Sequence, residues 1–293
     1  MSDIDWEQQR AFLAVIEEGS LSGAARRLGL AQPTVRRRIE DLETALATPL
    51  FTRSPGGLIA TERGEALREH ARAMEMASNA FIRSASAAPD AIAGTVRVSA
   101  SDMIATEVLP AIFAKLAAQH PALTIELSPT NRNEDVLRRE ADVAVRMVPP
   151  AQDALVARHI GAVALGLHAH PAYLAGRSVP GNYADLAAHR VIGPDSDGPV
   201  LQAIRALGFP VRHAEFGFRS DSDLAQYAAI RAGIGIGVCQ VPLGVRDGLV
   251  RLLPDLFALD LETWVVCHED LRNLARVRAV FDALVAGLGA YIA

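Results

Sequence analysis

The sequence predicts an α/β chain in three parts: a small helical domain closed by a β-hairpin, one long helix, and a larger domain of alternating strands and helices. Three observations predict this order. Apolar residues recur at helical spacing up to about residue 46, turn residues then bracket two short strands, and from Gly94 onward short apolar runs alternate with helical segments. With 293 residues, half of them hydrophobic, the chain can form two or three domains with their own cores.

The composition excludes a uniformly basic surface. The net charge is -5, so a surface for nucleic acid has to be local, and residues 26–53 hold six arginines against three acids. We find neither an N-terminal apolar signal segment nor an apolar run long enough to span a membrane. The two cysteines, Cys239 and Cys267, favour a reducing cytoplasm over a disulfide scaffold. We therefore expect a cytoplasmic protein.

The first motif is the stretch AQPTVRRRIEDLETAL at residues 31–46. At 100° per residue its apolar side chains form one narrow seam, which we expect to be buried. A cluster of arginines lies on the opposite face near the N-terminal end, and acids share that face one turn later. A helix lying along a polyanion would not carry those acids, whereas one entering a groove by its N-terminal tip would. The alternative is a solvated charged face. The seam is Val35, Ile39, Leu42 and Leu46; the arginines are Arg36, Arg37 and Arg38.

The residues around this helix have helix-turn-helix spacing. A short helix is expected at residues 22–28, with Ser20 or Ser22 as its N-cap, followed by a tight turn at Gly29 and then by the second helix with Pro33 in its first turn. A supporting helix precedes them. The stretch PLFTRSPGGLIATERG reads as strand, turn and strand, a hairpin or wing that carries Arg53.

Residues 5–64 resemble the winged helix-turn-helix of the LysR-type bacterial transcriptional regulators. The family elements AxxL, QPxV and PLFxR stand here as Ala25 to Leu28, Gln32 to Val35 and Pro49 to Arg53. The resemblance implies base and backbone contacts in the major groove from the recognition helix, and a wing arginine near the minor groove. The chain departs from the family at Arg36, where serine is usual, and at Arg38, where glutamine is common. The expected DNA-binding residues are Gln32, Pro33, Thr34, Arg36, Arg37, Arg38 and Arg53.

A long helix follows the wing. Thr61 is a suitable N-cap, and the helix is expected to run for about 27 residues with an apolar stripe that requires a partner helix. We therefore expect a homodimer. The alternative is that the long helix packs against its own domain. The resemblance implies a dimerising linker helix and a tetramer as the working form. The expected boundaries are 1–61 for the winged domain, 62–90 for the linker helix and hinge, and 91–293 for an effector-binding domain.

The remaining chain reads as a βαβαβ unit and then a second set of strands and helices. The unit predicts a parallel sheet, and the second set predicts another lobe joined to the first by crossing strands. This half resembles the LysR effector-binding domain, which is similar to periplasmic solute-binding proteins. The fold class is therefore α/β, with a winged helix-turn-helix, a linker helix and a two-lobed periplasmic-binding-protein-like domain. Lobe I is expected at about 91–160 and 265–293, and lobe II at about 161–264.

The ends of the predicted strands supply candidate ligand residues, because ligands of doubly wound sheets bind outside the carboxyl ends of the strands. Hydroxyls and helix N-termini suit an anion, with Arg146 as a bidentate partner. The alternative for Arg146 is a surface ion pair with Glu140 or Asp142. Asp102 either faces the cleft, which favours a cation, or only caps a helix. The expected ligand residues are Ser99, Ser101, Asp102, Thr130, Asn131, Arg146, Gly193, Asp221, Ser222 and Gly235, with Asp195, Ser220 and Gln240 nearby.

Competing kinds of site have weaker signals. His168 and His170 share a strand face, but no third metal ligand is suitably spaced. Cys239 and Cys267 fall on separate predicted core strands, which favours buried structural thiols over a redox switch. Catalytic and dinucleotide-binding motifs are missing from the sequence, so we expect neither an enzyme nor a bound cofactor or metal.

Together these signals predict a DNA-binding transcriptional regulator whose C-terminal domain senses a small molecule. Its expected partners are double-stranded DNA, the effector and further copies of itself, with RNA polymerase as a candidate. Two alternatives remain: a ligand-independent architectural DNA-binding protein, and a solute-binding clam that does not regulate transcription.

Overall fold

The computed structural model describes residues 4–54, 57–85, 88–131, 141–149, 155–206, 208 and 215–293. The chain divides into two compact units, Met1–Ala85 and a larger one that begins at Ser86. Each unit has apolar core residues of its own. In the described part of the chain, no helix is both long and apolar enough to cross a membrane.

Three helices begin the first unit, and local signals fix their ends. The Asp5 carboxylate accepts from the Gln8 N–H at 2.8 Å, and the Gln8 side chain accepts from the Asp5 N–H, which makes a capping box. Ser20 caps the second helix by accepting from the Gly23 N–H. Gly29, at φ 65°, ends that helix and forms the turn. The helices are α1 (Trp6–Glu18), α2 (Leu21–Leu28) and α3 (Gln32–Leu46).

The predicted seam of α3 is buried except at its end. Val35, Ile39 and Leu42 pack into the core of the unit, whereas Leu46 is 37% exposed. The expectation for Leu46 was therefore wrong, because α1 and α2 cover only the first three turns of the seam. The wing follows as strands β1 (Phe51–Ser54) and β2 (Gly57–Ala60), which pair antiparallel as predicted.

The long helix α4 (Glu62–Ala85) has 24 residues, and Thr61 caps it by accepting from the Gly64 N–H at 3.1 Å. Its N-terminal half packs against the other elements of the first unit, and Ala71 is buried in the core that they share. Its C-terminal half exposes apolar side chains: Phe81 is 74% exposed and Ile82 is 61% exposed. The C-terminal half thus combines buried residues, Ala80 and Arg83, with these exposed apolar side chains.

A seven-stranded sheet organises the described part of the second unit. Its strands lie in the order β10, β6, β11, β5, β3, β4, and β9 also pairs with β6. The strand β3 is parallel to both β4 and β5, as the βαβαβ pattern predicted. The strands are β3 (Gly94–Ala100), β4 (Leu123–Pro129), β5 (Val143–Arg146), β6 (Leu155–Ala169), β9 (Gly237–Gln240), β10 (Val250–Leu252) and β11 (Leu259–His268).

Two long antiparallel strands, β6 and β11, connect the two lobes. Near the sheet of β3 to β5, Val266 of β11 is opposite Ala157; farther along, Leu261 is opposite Val163. The register shifts between Thr263 and Trp264. A bulge of this kind bends and twists a strand pair, so it marks a joint between the lobes.

One predicted helix after β3 is two helices, α5 (Asp102–Glu107) and α6 (Leu109–Gln119). The break is at Val108, and Pro110 follows in the first turn of α6. Proline has no N–H to donate to the preceding turn, which explains the interruption. The second helix expected within the βαβαβ unit, at residues 134–141, lies almost wholly outside the described residues.

Lobe II is built around a parallel pair of strands, β7 (Val191–Gly193) and β8 (Phe216–Arg219). Its buried apolar residues include Leu167, Leu201 and Phe257. Its helices are α7 (Pro171–Leu174), the 3-10 helix Tyr183–Ala188, α8 (Pro199–Ala206), α9 (Asp223–Arg231) and α10 (Val241–Arg246). The chain then returns to lobe I through β11, the 3-10 helix Glu269–Leu271 and α11 (Ala275–Ile292).

Candidate functional site

The N-terminal tip of α3 is open to solvent. Gln32, Pro33, Arg36 and Arg37 are exposed, and Thr34 is half-buried. The N-cap residue is Ala31, which has no side chain able to accept from the first-turn N–H groups. Pro33 has no N–H, and the Thr34 N–H donates to the Ala31 carbonyl at 3.0 Å, so the tip offers an anion such as a phosphate the Gln32 N–H and the partial positive charge of the helix end. Sequence reasoning singled out the arginines but missed the significance of the uncapped end.

Arg38 differs from its two neighbours. Its guanidinium pairs with the Glu7 carboxylate of α1 at 2.8 Å, and its side chain is 23% exposed. The fold therefore uses Arg38 to join α3 to α1. Its prediction as a DNA contact conflicts with this placement, because a groove-reading side chain must point away from its own domain.

Two acidic residues of the first unit, Glu43 and Glu17, have structural partners, whereas Glu40 and Asp41 on the outer face of α3 are exposed. Glu43 accepts from the backbone N–H groups of Leu50 at 2.6 Å and Phe51 at 3.1 Å, which fixes the start of the wing relative to α3. Glu17 of α1 binds Arg27 of α2 and, at 2.9 Å, Arg72 of α4. Burial would raise the pKa of Glu17, but the hydrogen bonds from the two arginines outweigh it and the pKa is lowered.

The wing presents Arg53 to solvent. This residue is exposed on β1, opposite Leu58 of β2. The Leu58 N–H donates to the Gly19 carbonyl at 2.9 Å, so the hairpin is attached to the end of α1. The tip and the wing therefore belong to one compact unit, with Arg53 pointing outward.

The second unit contains a cavity of about 290 Å³ next to the junction of the lobes. Met103 of α5 contributes from lobe I, and most other lining side chains are aliphatic. Three polar side chains also line it: Asp223, Gln226 and Gln240. Apolar walls with a few polar groups are typical of small-molecule sites. The remaining lining residues are Leu165, Leu167, Val191, Ile192, Gly193, Pro194, Phe216, Val238, Cys239, Leu259 and Leu261.

Of the ten expected ligand residues, Gly193 lines this cavity. A Cβ at this position would overlap the ring of Phe216, so the glycine permits close packing of β7 against that ring. Gln240, expected near these residues, lines the cavity as well. The other nine expected ligand residues are not among its lining residues.

Arg146 and Ser99 contact each other at the ends of β5 and β3. Both terminal nitrogens of Arg146 are 3.3 Å from the Ser99 hydroxyl oxygen, and Nη1 also donates to the Val145 carbonyl at 3.1 Å. Ser99 is fully buried. The expectation that these residues contact a ligand is not supported at this cavity, because they are engaged within the sheet of lobe I.

Of the two alternatives for Asp102, the capping role is contradicted. The N-cap position is Ser101, and Asp102 is the first residue of α5. The Asn131 amide donates to the Asp102 carboxylate at 3.3 Å, and the Asp102 N–H donates to Asn131 at 3.1 Å. The Thr130 N–H donates to the Ala100 carbonyl at 2.8 Å, which continues the pairing of β3 with β4. Ser101, Asp102, Thr130 and Asn131 thus lie at the edge of lobe I and do not line the cavity.

Asp221, Ser222 and Gly235 have local structural roles. The Asp221 carboxylate accepts from the N–H groups of Asp195 at 3.0 Å and Ser196 at 2.9 Å. Ser222 caps α9. A Cβ on Gly235 would overlap the Arg190 carbonyl oxygen, so this glycine allows two backbone segments to pass closely. Position at a strand end did not distinguish these loop-stabilising residues from cavity residues.

Asp223 was missed by the sequence reasoning. It is the first residue of α9 and lines the cavity. The residue is also exposed to solvent. Surrounding protein atoms raise its pKa, and the negative charge of Asp102 raises it further. The sequence signal was its position directly after the Ser222 N-cap, which places it at a helix start facing the strand ends.

The thiols and histidines have buried or capping roles. Cys239 Sγ lies 3.3 Å from Nδ1 of His168, and both residues are buried. Burial raises the pKa of Cys239 to about 12 and that of Cys267 to about 11. His170 caps α7 by accepting from the Ala172 N–H, so it does not share a strand face with His168. Among the described residues, no three metal-ligating side chains cluster.

Ion pairs join the two lobes. Arg246 of α10 donates to the Glu107 carboxylate of α5 at 2.6 Å and to the Glu107 carbonyl at 3.0 Å. Asp247 accepts from Arg246 at 2.7 Å and from the Tyr227 hydroxyl at 2.8 Å. The hydrogen bond from Arg246 is the main cause of the lowered pKa of Asp247. These contacts tie lobe II to α5.

Comparison with known proteins agrees with this arrangement. The chain is 28% identical over 291 residues to the uncharacterized HTH-type transcriptional regulator YhjC of Escherichia coli (strain K12). The alignment covers 94% of this chain and 95% of that protein. It is 35% identical over 147 residues to a probable hydrogen peroxide-inducible genes activator of Mycobacterium avium, covering 50% and 47%. The chain thus spans about half the length of this second relative.

The solved structure of full-length CbnR complexed with its target DNA has the same fold, with a TM-score of 0.66 at 21% identity over 95% of this chain and 99% of that one. Two family models match in chain order: the bacterial regulatory helix-turn-helix protein, lysR family, over residues 6–65, and the LysR substrate binding domain over residues 89–289. Since together they span nearly the whole chain, it belongs to the LysR family of bacterial helix-turn-helix regulators.

Proposed function

We propose that this protein regulates transcription in the cytoplasm by inserting the tip of α3 into the major groove of duplex DNA, with the wing beside it. The observation that carries this proposal is the division of charge on α3. Arg36 and Arg37 extend into solvent at an uncapped N-terminus, whereas Arg38 and Glu43 are held by the rest of the unit. The guanidinium groups of Arg36 and Arg37 are thus available at the end of α3 that would enter a groove. The carboxylate of Glu43, farther along the helix, is hydrogen-bonded within the unit.

The residues at the tip suit both parts of DNA recognition. Gln32 and Arg37 have side chains that can form paired hydrogen bonds with base edges, and the open helix end can bind a phosphate. Arg36 adds a cation for the DNA backbone, and Arg53 adds another from the wing. The CbnR structure, which has this fold, contains its target DNA, and this supports DNA binding as the proposed function of this chain.

A second copy of the chain is the proposed partner of α4. Phe81 and Ile82, together with Met74, expose a large apolar area on the C-terminal half of this helix. Burying that area against an identical helix would place two recognition helices about a twofold axis, which suits a pseudo-palindromic DNA site. A tetramer and a contact with RNA polymerase belong to the same proposal.

The cavity at the lobe junction is the proposed effector site. A ligand there would contact Met103 of lobe I and the strands of lobe II, so its binding free energy would differ between relative poses of the lobes. The crossing strands β6 and β11, with their register shift after Thr263, provide the joint. The resulting change would reach DNA through the α4 helices of the dimer.

The DNA-binding proposal is tested with a duplex selected from a random pool by the wild-type protein. Fluorescence anisotropy is measured for the wild type, Arg37→Ala and the control Arg10→Ala, which removes an exposed arginine from α1. Loss of a base contact should cost Arg37→Ala about 1 to 3 kcal/mol, with relaxed sequence preference, and leave the control unchanged. Unchanged binding by Arg37→Ala, or equal losses in both variants, would contradict the proposed tip.

A further inference from the structure

The cavity at the lobe junction has one charged side chain among its described lining residues, and it is acidic. That residue is Asp223; no arginine, lysine or histidine lines the cavity in the part of the chain that the structure describes. A carboxylate-binding site would need at least one cationic or free N–H partner for the ligand. The cavity therefore has the charge of a site for an electropositive group.

The other polar lining groups already have partners. The Gln226 amide donates to the Ser220 carbonyl at 2.7 Å, and the Gln240 amide oxygen accepts from the Tyr291 hydroxyl at 2.6 Å. For Asp223, the described residues supply neither a hydrogen bond nor an ion pair to the side chain. Its carboxylate is thus the polar group most available to a ligand.

The location of Asp223 also works against an anionic ligand. A helix N-terminus normally attracts negative charge, but Asp223 places a carboxylate at the start of α9. The neighbouring helix α5, which contacts α9, likewise begins with an aspartate, Asp102. Asp102 is close enough for its charge to raise the pKa of Asp223. An incoming carboxylate would meet the Asp223 carboxylate, with the charge of Asp102 close by outside the lining, whereas a protonated amine would reduce the repulsion between these two groups.

The rest of the cavity requires an apolar ligand body. Leucine, isoleucine and valine side chains, with the ring of Phe216, cover most of its wall. These groups gain by excluding water but offer no hydrogen bonds. A cavity volume of about 290 Å³ suits a compact molecule rather than a peptide or nucleotide.

We propose that the effector of this protein is a small apolar molecule with a protonated amine, and that the amine binds the carboxylate of Asp223. This assignment rests on the proposed function, in which the cavity is the effector site. It makes Asp223 the residue that determines ligand charge, with Leu261 and its apolar neighbours enclosing the body of the ligand.

The test uses three probes that share a phenyl group and a two-carbon chain: 2-phenylethylamine, 2-phenylethanol and 3-phenylpropionate. Isothermal titration calorimetry of the full chain near neutral pH measures their affinities. We expect the amine to bind about 10- to 100-fold more tightly than the alcohol, as a charge-assisted hydrogen bond would give, and the carboxylate to bind most weakly. An alcohol or carboxylate that binds as tightly as the amine would overturn the proposal.

Three variants locate the interaction. Asp223→Asn should remove most of the preference for the amine while retaining binding of the alcohol. Asp282→Asn, which changes an exposed acid of α11 outside the cavity, should behave as wild type. Leu261→Trp should fill the cavity and weaken the amine and the alcohol together. An unchanged amine preference in Asp223→Asn, or unchanged amine binding in Leu261→Trp, would overturn the assignment.

The outcomes separate the two proposals. If Leu261→Trp abolishes probe binding but the amine is not preferred, the cavity is still a ligand site and only the proposed charge is wrong. If none of the three probes binds, both the amine assignment and the effector role of the cavity are contradicted. The anisotropy experiment with Arg37→Ala is independent of either result.

Discussion

Arg38 of α3 pairs with Glu7 of α1 at 2.8 Å, although the arginines on either side of position 37 look equivalent in the sequence. The pair has one half-buried and one exposed partner, and it holds the recognition helix against its support. The three adjacent arginines therefore divide into two solvent-exposed residues, Arg36 and Arg37, and one that pairs within the unit, Arg38. This division leads to the first prediction.

Arg38→Ala should weaken DNA binding much less than Arg37→Ala. It should instead lower the free energy of unfolding of the first unit by up to about 1 kcal/mol, because the pair with Glu7 is partly exposed to water. Anisotropy and urea unfolding of the same protein samples measure the two effects. If Arg38→Ala costs as much DNA affinity as Arg37→Ala, with the same sequence dependence, then Arg38 reads DNA and the ion pair is incidental.

Arg53→Ala should weaken binding to all duplexes by a similar factor. A wing cation that contacts phosphate contributes affinity without reading bases, and its loss removes about one released counterion. The slope of log affinity against log salt should fall by about 1. Titrations of a selected and a scrambled duplex at several salt concentrations measure this slope. A loss confined to the selected duplex would show instead that the wing reads sequence.

Glu17 should make the stability of the first unit depend on pH. Its pKa is lowered by folding, so its stabilising effect is complete above its ordinary pKa of 4.5 and is lost as the pH falls through the lower folded value. At neutral pH, Glu17→Gln should reduce stability by about 1 kcal/mol, since both arginine partners are partly exposed. Toward pH 3 the difference from wild type should shrink.

The fluorescence of Trp6 can follow this transition during urea unfolding if the other tryptophan is removed by Trp264→Phe in every sample. Glu69→Gln is the control, because Glu69 is more exposed and its distance to Arg72 is 3.9 Å. A pH-independent difference between Glu17→Gln and its parent would mean that packing, rather than the charge of Glu17, causes the loss.

Cys239 and Cys267 should react slowly with Ellman's reagent in the native protein. With pKa values of about 12 and about 11, roughly one thiol in a thousand or fewer is a thiolate near pH 8. Both thiols are also buried. Reaction should become rapid in urea. Fast modification of one native thiol, assigned with Cys239→Ser and Cys267→Ser, would reopen the redox-switch hypothesis.

The winged domain was predictable because its signals are local. Ser20 at a helix start, Gly29 in the turn and Thr61 before the long helix each act through their own backbone neighbours, so sequence position decides their roles. The exposure of Leu46 was not predictable from periodicity, because periodicity gives a face but not the length over which neighbouring helices cover it.

The lining of the cavity was much less predictable. Position at a strand end identified Gly193 and Gln240, yet which side chains line a cavity depends on packing between distant segments. Asp221 and Asp223 are two residues apart; the first stabilises a loop and the second lines the cavity. Similarly, nothing local to Arg38 could indicate Glu7 as its partner. Long-range contacts of this kind are fixed by tertiary structure.

The hydrogen bonds from Arg246 to Glu107 have a consequence for the environment in which the protein works. They join α10 of lobe II to α5 of lobe I, and Arg246 is open enough to solvent for dissolved ions to reach it. Ions screen such a pair, so a rise in salt concentration would weaken this contact between the lobes. Under the proposed function, the affinity of the cavity for its effector would then depend on ionic strength.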